Sequence, residues 1–202
     1  MKVAIINYGM GNLASVDKAI KHLRFESIIT NDLEEIQQAS YIILPGVGAF
    51  AQGMENLHKL GLVKILNNEV ICNKKPFMGI CLGMQLIASR GFEPTLTPGL
   101  DWIKGDVIKI IEPEKAIPHL GWNEITETKN SIIRDFDKKD FYFIHSFHFD
   151  VLNKENIAAT VNYGNNYVAA IQKDNIFATQ FHPEKSQTSG LELLNSFLRF
   201  YA

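Results

Sequence analysis

The sequence predicts an α/β fold: a mostly parallel central sheet flanked by helices, with an additional, partly antiparallel strand region in the second half. Three observations carry this. Short runs rich in Val, Ile and Leu alternate with stretches of helical period over residues 2–88. Those runs end in glycine-containing turns, as strand tips beside a ligand site do. From residue 105 onward, strand candidates follow one another with only turn signals between them.

In order along the chain, residues 2–8 (KVAIINY) read as a buried strand, followed by the turn Gly9-Met10-Gly11-Asn12. Val16, Ala19, Ile20 and Leu23 recur at i, i+3, i+4 and i+7, an amphipathic helix capped by Ser15. A strand over 26–31 precedes a short helix opened by Asp32, and Tyr41 to Leu44 form a third strand. A helical stretch over 53–72 is interrupted near Gly61, and Pro76 to Ile80 is a further buried strand. Residues 91–104 are loop-like, rich in Gly, Pro and Thr. Strand candidates then occupy 105–111, 117–127, 140–150, 158–163, 167–173 and 175–182. A closing helix from Gly190 sets Leu191, Leu194, Phe197, Leu198 and Tyr201 on one face.

At 202 residues the chain reads as one domain over 1–202, long enough for a real core. It is 46% hydrophobic and 21% charged, with net charge −2 and no basic block. Nothing in that balance calls for nucleic acid or a membrane surface. No apolar segment reaches the roughly 18 residues of a membrane span, and the N-terminus runs straight into a strand pattern. Its two cysteines, Cys72 and Cys81, form neither a disulfide framework nor a metal-ligand spacing. The expectation is a cytoplasmic protein with reduced thiols, no metal and no cofactor.

The chemistry-bearing stretch is Gly79-Ile80-Cys81-Leu82-Gly83, between an apolar strand run and a helical pattern. This is the G-x-nucleophile-x-G layout of a strand-to-helix elbow, with cysteine as the nucleophile. A helix N-terminus there favours thiolate over thiol. A lone strand cysteine is otherwise a buried packing residue, and the two glycines set these readings level. Pro45-Gly46-Val47-Gly48 ends the third strand, where glycines would let backbone N–H groups face a cleft; a cysteine attacking an acyl group needs such donors for the oxyanion, with Leu82 supplying a second.

In Gln180-Phe181-His182-Pro183-Glu184, an extended chain projects His182 and Glu184 to the same side. A carboxylate beside an imidazole fixes its tautomer and stabilises the imidazolium, which suggests a Cys-His-Glu triad. A competing motif is Gly9-Met10-Gly11-Asn12-Leu13-Ala14. It fits the G-x-G-x-x-A dinucleotide turn, with Asp32 about 20 residues on where a ribose-binding acid belongs. On that reading the chain is a nucleotide-binding module.

With GICLGMQL, PGVGAF and QFHPEK, the sequence resembles the class I (triad-type) glutamine amidotransferases, with a flavodoxin-like fold. NYGMGNLASV, PHLGWN, YFIHSF and HPEKS bring it nearest to the glutaminase subunits of imidazole glycerol phosphate synthase in histidine biosynthesis. The resemblance spans essentially the whole chain. It implies that Cys81 attacks the side-chain amide of L-glutamine, that His182 shuttles the proton and that Glu184 orients the imidazole. Val47 and Leu82 then give the oxyanion N–H groups, and Gly46, Gly48, Gln85, Glu93, His145 and Ser146 surround the substrate. Asn12, Trp122 and Lys185 match positions facing a partner, a (β/α)8-barrel cyclase subunit that uses the ammonia.

The sequence departs from the family pattern in places. Where the family carries a Ser-Glu-Glu-like segment it has Ser89-Arg90-Gly91-Phe92-Glu93, in which only Glu93 corresponds, and Ala116 replaces a common basic residue. Gly99-Leu100-Asp101-Trp102-Ile103, Phe147-His148-Phe149 and Asn175-Ile176-Phe177 are closer to a paralogous branch. That branch supplies ammonia, through its own barrel homologue, for amidation of surface-polysaccharide sugars.

Overall fold

The structure, a computed structural model, describes residues 1–128 and 131–201. Its centre is a set of parallel strands: β1 (Lys2–Ile6), β2 (Glu26–Thr30), β3 (Tyr41–Gly46), β4 (Phe77–Cys81) and β13 (Ile176–Thr179). β1, β3, β4 and β13 are buried on both faces, whereas β2, at the sheet edge, leaves Glu26 and Ile29 exposed. In β1, Val3 and Ile5 enter the core on one side while Ala4 and Ile6 enter it on the other; Tyr41 and Ile43 oppose Ile42 and Leu44 in β3. Burial on both faces is why these segments read as unbroken apolar runs. Helices α1 (Leu13–His22) and α6 (Gln187–Phe200) cover one face; α2 (Leu33–Gln38), α3 (Phe50–Lys59), α4 (Leu62–Leu66) and α5 (Leu82–Leu86) cover the other.

The remaining strands are β5 (Arg90–Gly91), β6 (Thr97–Pro98), β7 (Gly105–Lys109), β8 (His119–Glu127), β9 (Asp140–His145), β10 (Phe147–Val151), β11 (Ile157–Tyr163) and β12 (Asn165–Lys173). The main sheet has nine strands in the order β2-β1-β3-β4-β13-β12-β11-β8-β9. Its first five are parallel, in flavodoxin-like order, and from β13 onward every pairing is antiparallel. The antiparallel region thus extends the same sheet. A second sheet, β10-β7-β5-β6, packs beside it.

Several expected boundaries move. The first strand stops at Ile6, and Asn12, not Ser15, caps α1 by accepting the Ser15 N–H at 3.4 Å. Asp32 caps α2 as expected, accepting from Glu34 and Glu35. The 53–72 stretch starts earlier, at Phe50, and breaks at Gly61, whose φ of 68° suits a residue without Cβ. Its last part, Asn67–Cys72, winds as a π-helix. The 91–104 stretch is not all loop, because Gly91 and Thr97–Pro98 pair as strands.

The 140–150 strand is two strands, split at Ser146: β9 pairs with β8 and β10 with β7 in the other sheet. The 175–182 strand ends at Thr179, and the closing helix begins at Gln187. One buried ion pair fixes the entry to β4. Lys75 Nζ lies 2.8 Å from Glu69 Oε2 and also donates to the Ile36 and Gln37 carbonyls. Losing either charged partner there would cost about 3–5 kcal/mol, the cost of leaving a buried charge unpaired.

Among the described residues, no helix is long and apolar enough to cross a membrane.

Candidate active site

Cys81 ends β4 and caps α5, with φ 54° and ψ −106°, a conformation that L-residues seldom adopt. Its flanking glycines are set by close approach. A Cβ on Gly79 would lie 2.7 Å from the Gly83 carbonyl oxygen, and one on Gly83 only 1.7 Å from that of Leu44. Past the elbow, α5 runs for five residues. So short a helix carries little macrodipole, and the charge beside the sulfur comes chiefly from side chains.

His182 follows the tip of β13. The sequence reading placed His182 and Glu184 on an extended chain, but Pro183–Lys185 forms a 3₁₀ turn, begun by the proline. The two side chains still meet: His182 Nδ1 donates to Glu184 Oε1 at 2.8 Å, with both side chains almost wholly buried. Strand β9 locks the histidine in place. The His182 N–H donates to the Tyr142 carbonyl at 2.9 Å, and Ser186 Oγ donates to the His182 carbonyl at 2.6 Å while accepting the Tyr142 N–H at 3.0 Å.

The other imidazole nitrogen, Nε2, has no hydrogen-bond partner, and Cys81 is its neighbour. Burial opposes a charge on His182, but the Cys81 sulfur and the Glu184 carboxylate outweigh it and raise the histidine's basicity. Gln180 Nε2 donates to Cys81 Sγ at 3.7 Å, and Sγ faces the Ile144 carbonyl at 3.9 Å. Sequence reading missed both groups. The parity that pairs His182 with Glu184 includes Gln180, so that residue was within reach; the Ile144 carbonyl left no signal.

In front of the sulfur lies a pocket of about 380 Å³, lined by Val47, Gly48, Leu82, Gln85, Glu93, His145, Ser146 and Lys185 among others. Gly46 stands behind this lining, buried against Tyr8 and Leu82. Gln85 donates its amide to the Phe147 carbonyl and to Gln180 Oε1, each at 3.0 Å, and so braces the wall. Glu93 Oε2 accepts the Phe50 N–H at 3.2 Å; burial raises its carboxyl, partly offset by that bond. Asn12 and Trp122 are exposed outside the pocket, with Trp122 edge-on to Tyr142. Lys185 reaches both places, lining the pocket and placing Nζ 5.9 Å from the Tyr142 ring centre.

Behind His145 runs a buried chain of bonds. His145 Nδ1 meets the Phe147 carbonyl at 2.8 Å, its Nε2 meets His119 Nδ1 at 3.0 Å, and His119 Nε2 meets Asn123 Nδ2 at 3.2 Å. A carbonyl at one end and an amide donor at the other fix both histidines as Nδ1–H tautomers. Burial lowers His119 to about 4 and His145 to about 3. The unfolded chain therefore takes up protons here that the fold refuses. Stability should fall as pH drops from about 6.5 toward 4, as the unfolded chain protonates histidines that the fold keeps neutral. Urea unfolding of wild type and His119→Gln over that range checks this; equal pH slopes for the two would contradict it. His182, with a raised value, contributes oppositely: its stabilisation is full at acid pH and declines above about 6.5.

Residues 4–199 match the model of the family described as Glutamine amidotransferase class-I. The chain belongs to that family. It is 46% identical over 200 residues to imidazole glycerol phosphate synthase subunit HisH 1 of Campylobacter jejuni (strain RM1221), covering 98% of this chain and 99% of the relative. It is 43% identical to subunit HisH 2 of Methanococcus maripaludis, covering 98% of each, and 41% identical to subunit HisH of Pelagibacter ubique, covering 98% and 99%. Among solved structures, one described as a glutamine amidotransferase superposes with TM-score 0.78 at 17% identity, covering 98% of both chains. PurLQS from Thermotoga maritima gives 0.76 at 17% identity, covering 100% and 99%. At such identities these structures speak for the fold.

Proposed function

We propose that this chain is the glutaminase subunit of an imidazole glycerol phosphate synthase, hydrolysing L-glutamine and passing the ammonia to a (β/α)8-barrel cyclase subunit in histidine biosynthesis. The observation that carries the reaction is the buried His182–Glu184 pair beside an elbow cysteine that opens on a pocket. Cys81 Sγ attacks the side-chain amide carbon, His182 takes the thiol proton and returns it to the departing ammonia, and water then cleaves the glutamyl thioester. Backbone N–H groups of Val47 and Leu82 receive the oxyanion. Glu93 brings a carboxyl to the pocket, which suits the amino group of an amino acid.

The synthase-subunit names of the relatives favour this pathway over sugar amidation. Against a nucleotide-binding module, the Asp32 carboxylate is already committed to capping α2. Asn12, Trp122 and Lys185 mark the face for the cyclase; Leu120 and Ile144, register partners on β8 and β9, add exposed apolar surface beside Trp122.

Glutamate release from glutamine by the chain in complex with a cyclase subunit tests the proposal, and an absence of release would refute it. In that assay Glu184→Gln should lower kcat by about 10²-fold or more with KM little changed, because its charge stabilises the imidazolium formed during attack. An effect confined to KM would instead make Glu184 a substrate-binding group.

A further inference from the structure

The hydroxyl of Tyr8 is buried and has no hydrogen-bond partner. An orphan buried hydroxyl is costly, so its persistence needs a reason. Its position is firm: the Tyr8 carbonyl accepts the Asn56 Nδ2–H at 2.9 Å, and the ring packs on the face of the sheet covered by α3 and α5. The hydroxyl reaches the tip of β3, where a Cβ on Gly46 would sit 2.0 Å from it. Burial first, and the nearby Cys81 second, push the hydroxyl well above its ordinary value, so it stays protonated and remains a donor.

Gly46 and Val47 share one peptide unit, whose C=O and N–H point in opposite directions. When the Val47 N–H faces the pocket to receive an oxyanion, the Gly46 carbonyl must face away from it, into the protein. We infer that Tyr8 is a positioning residue: its hydroxyl donates to the Gly46 carbonyl in the oxyanion-binding orientation and holds the Val47 N–H on the pocket. The inference rests on the glutaminase reading above. Gly48, at φ 104°, leaves the strand tip free to adopt that orientation.

The test is Tyr8→Phe, assayed as the complex with a cyclase subunit. The variant should be at least as heat-stable as wild type, because it removes an unsatisfied buried hydroxyl. Its kcat for glutamine should fall about tenfold or more, a part of what losing an oxyanion donor costs, with KM within twofold. Alkylation of Cys81 by iodoacetamide, which forms no oxyanion, should proceed at the wild-type rate. A kcat within twofold of wild type would overturn the assignment. So would a loss of kcat matched by slower alkylation, since that would place the effect on the thiol. Failure of wild type to hydrolyse glutamine would sink the glutaminase reading itself, a distinct outcome.

Discussion

Replacing Cys81 by alanine should abolish glutamine hydrolysis, by about 10⁴-fold or more, while leaving the fold intact. The elbow holds residue 81 at φ 54°, and alanine is no more strained there than cysteine. The lost contacts are weak: Sγ accepts the Gln180 amide at 3.7 Å, donates to the Ile144 carbonyl at 3.9 Å and neighbours the His182 imidazole. Cys72→Ala is the matched control. That residue is exposed at the end of the π-helical turn, away from the pocket, and its loss should leave turnover nearly unchanged. Circular dichroism and thermal melts of both variants establish folding. Substantial hydrolysis by folded Cys81→Ala, or a comparable loss in Cys72→Ala, would mean that the wrong sulfur has been assigned.

The isolated chain should be a poor glutaminase that gains orders of magnitude in turnover when a cyclase subunit and its ligand bind. Ammonia released into water is protonated and ceases to be a nucleophile, so hydrolysis without an acceptor is wasteful. The strand tip offers a device for coupling. Val47 is 41% exposed and lines the pocket, between Gly46 and Gly48, so a partner docked there can reorganise its peptide plane cheaply. Lys185 joins the two surfaces, and Lys185→Ala should weaken the stimulation more than it weakens basal turnover. Stopped assays of glutamate formation with and without the cyclase read both quantities. Full turnover by the chain alone would remove the gating role of the glycine tip.

The parallel half of the fold was legible because strands buried on both faces write apolar runs into the sequence, and because Gly61 and the elbow glycines mark real breaks and close approaches. The elbow was legible because close backbone approaches exclude side chains at Gly79 and Gly83, which leaves glycines two residues either side of Cys81. What stayed hidden depends on tertiary partners. The split at Ser146 has no local cause, since Phe141, Phe143, Phe147 and Phe149 continue an alternating pattern across it; only pairing with different sheets separates them. The Ile144 carbonyl contributes backbone, which no side-chain motif reports. Tyr8 read as part of a strand, and its hydroxyl gains meaning only when Gly46 is placed beside it.

The most direct measurement is to stop the reaction of the cyclase-bound enzyme on isotope-labelled L-glutamine with acid during turnover and map the label by peptide mass spectrometry. The prediction is a γ-glutamyl group in thioester linkage on the peptide containing Cys81, absent from Cys81→Ala and discharged by hydroxylamine. Label on any other residue, or steady turnover with no covalent adduct at the earliest times, would contradict nucleophilic catalysis by Cys81.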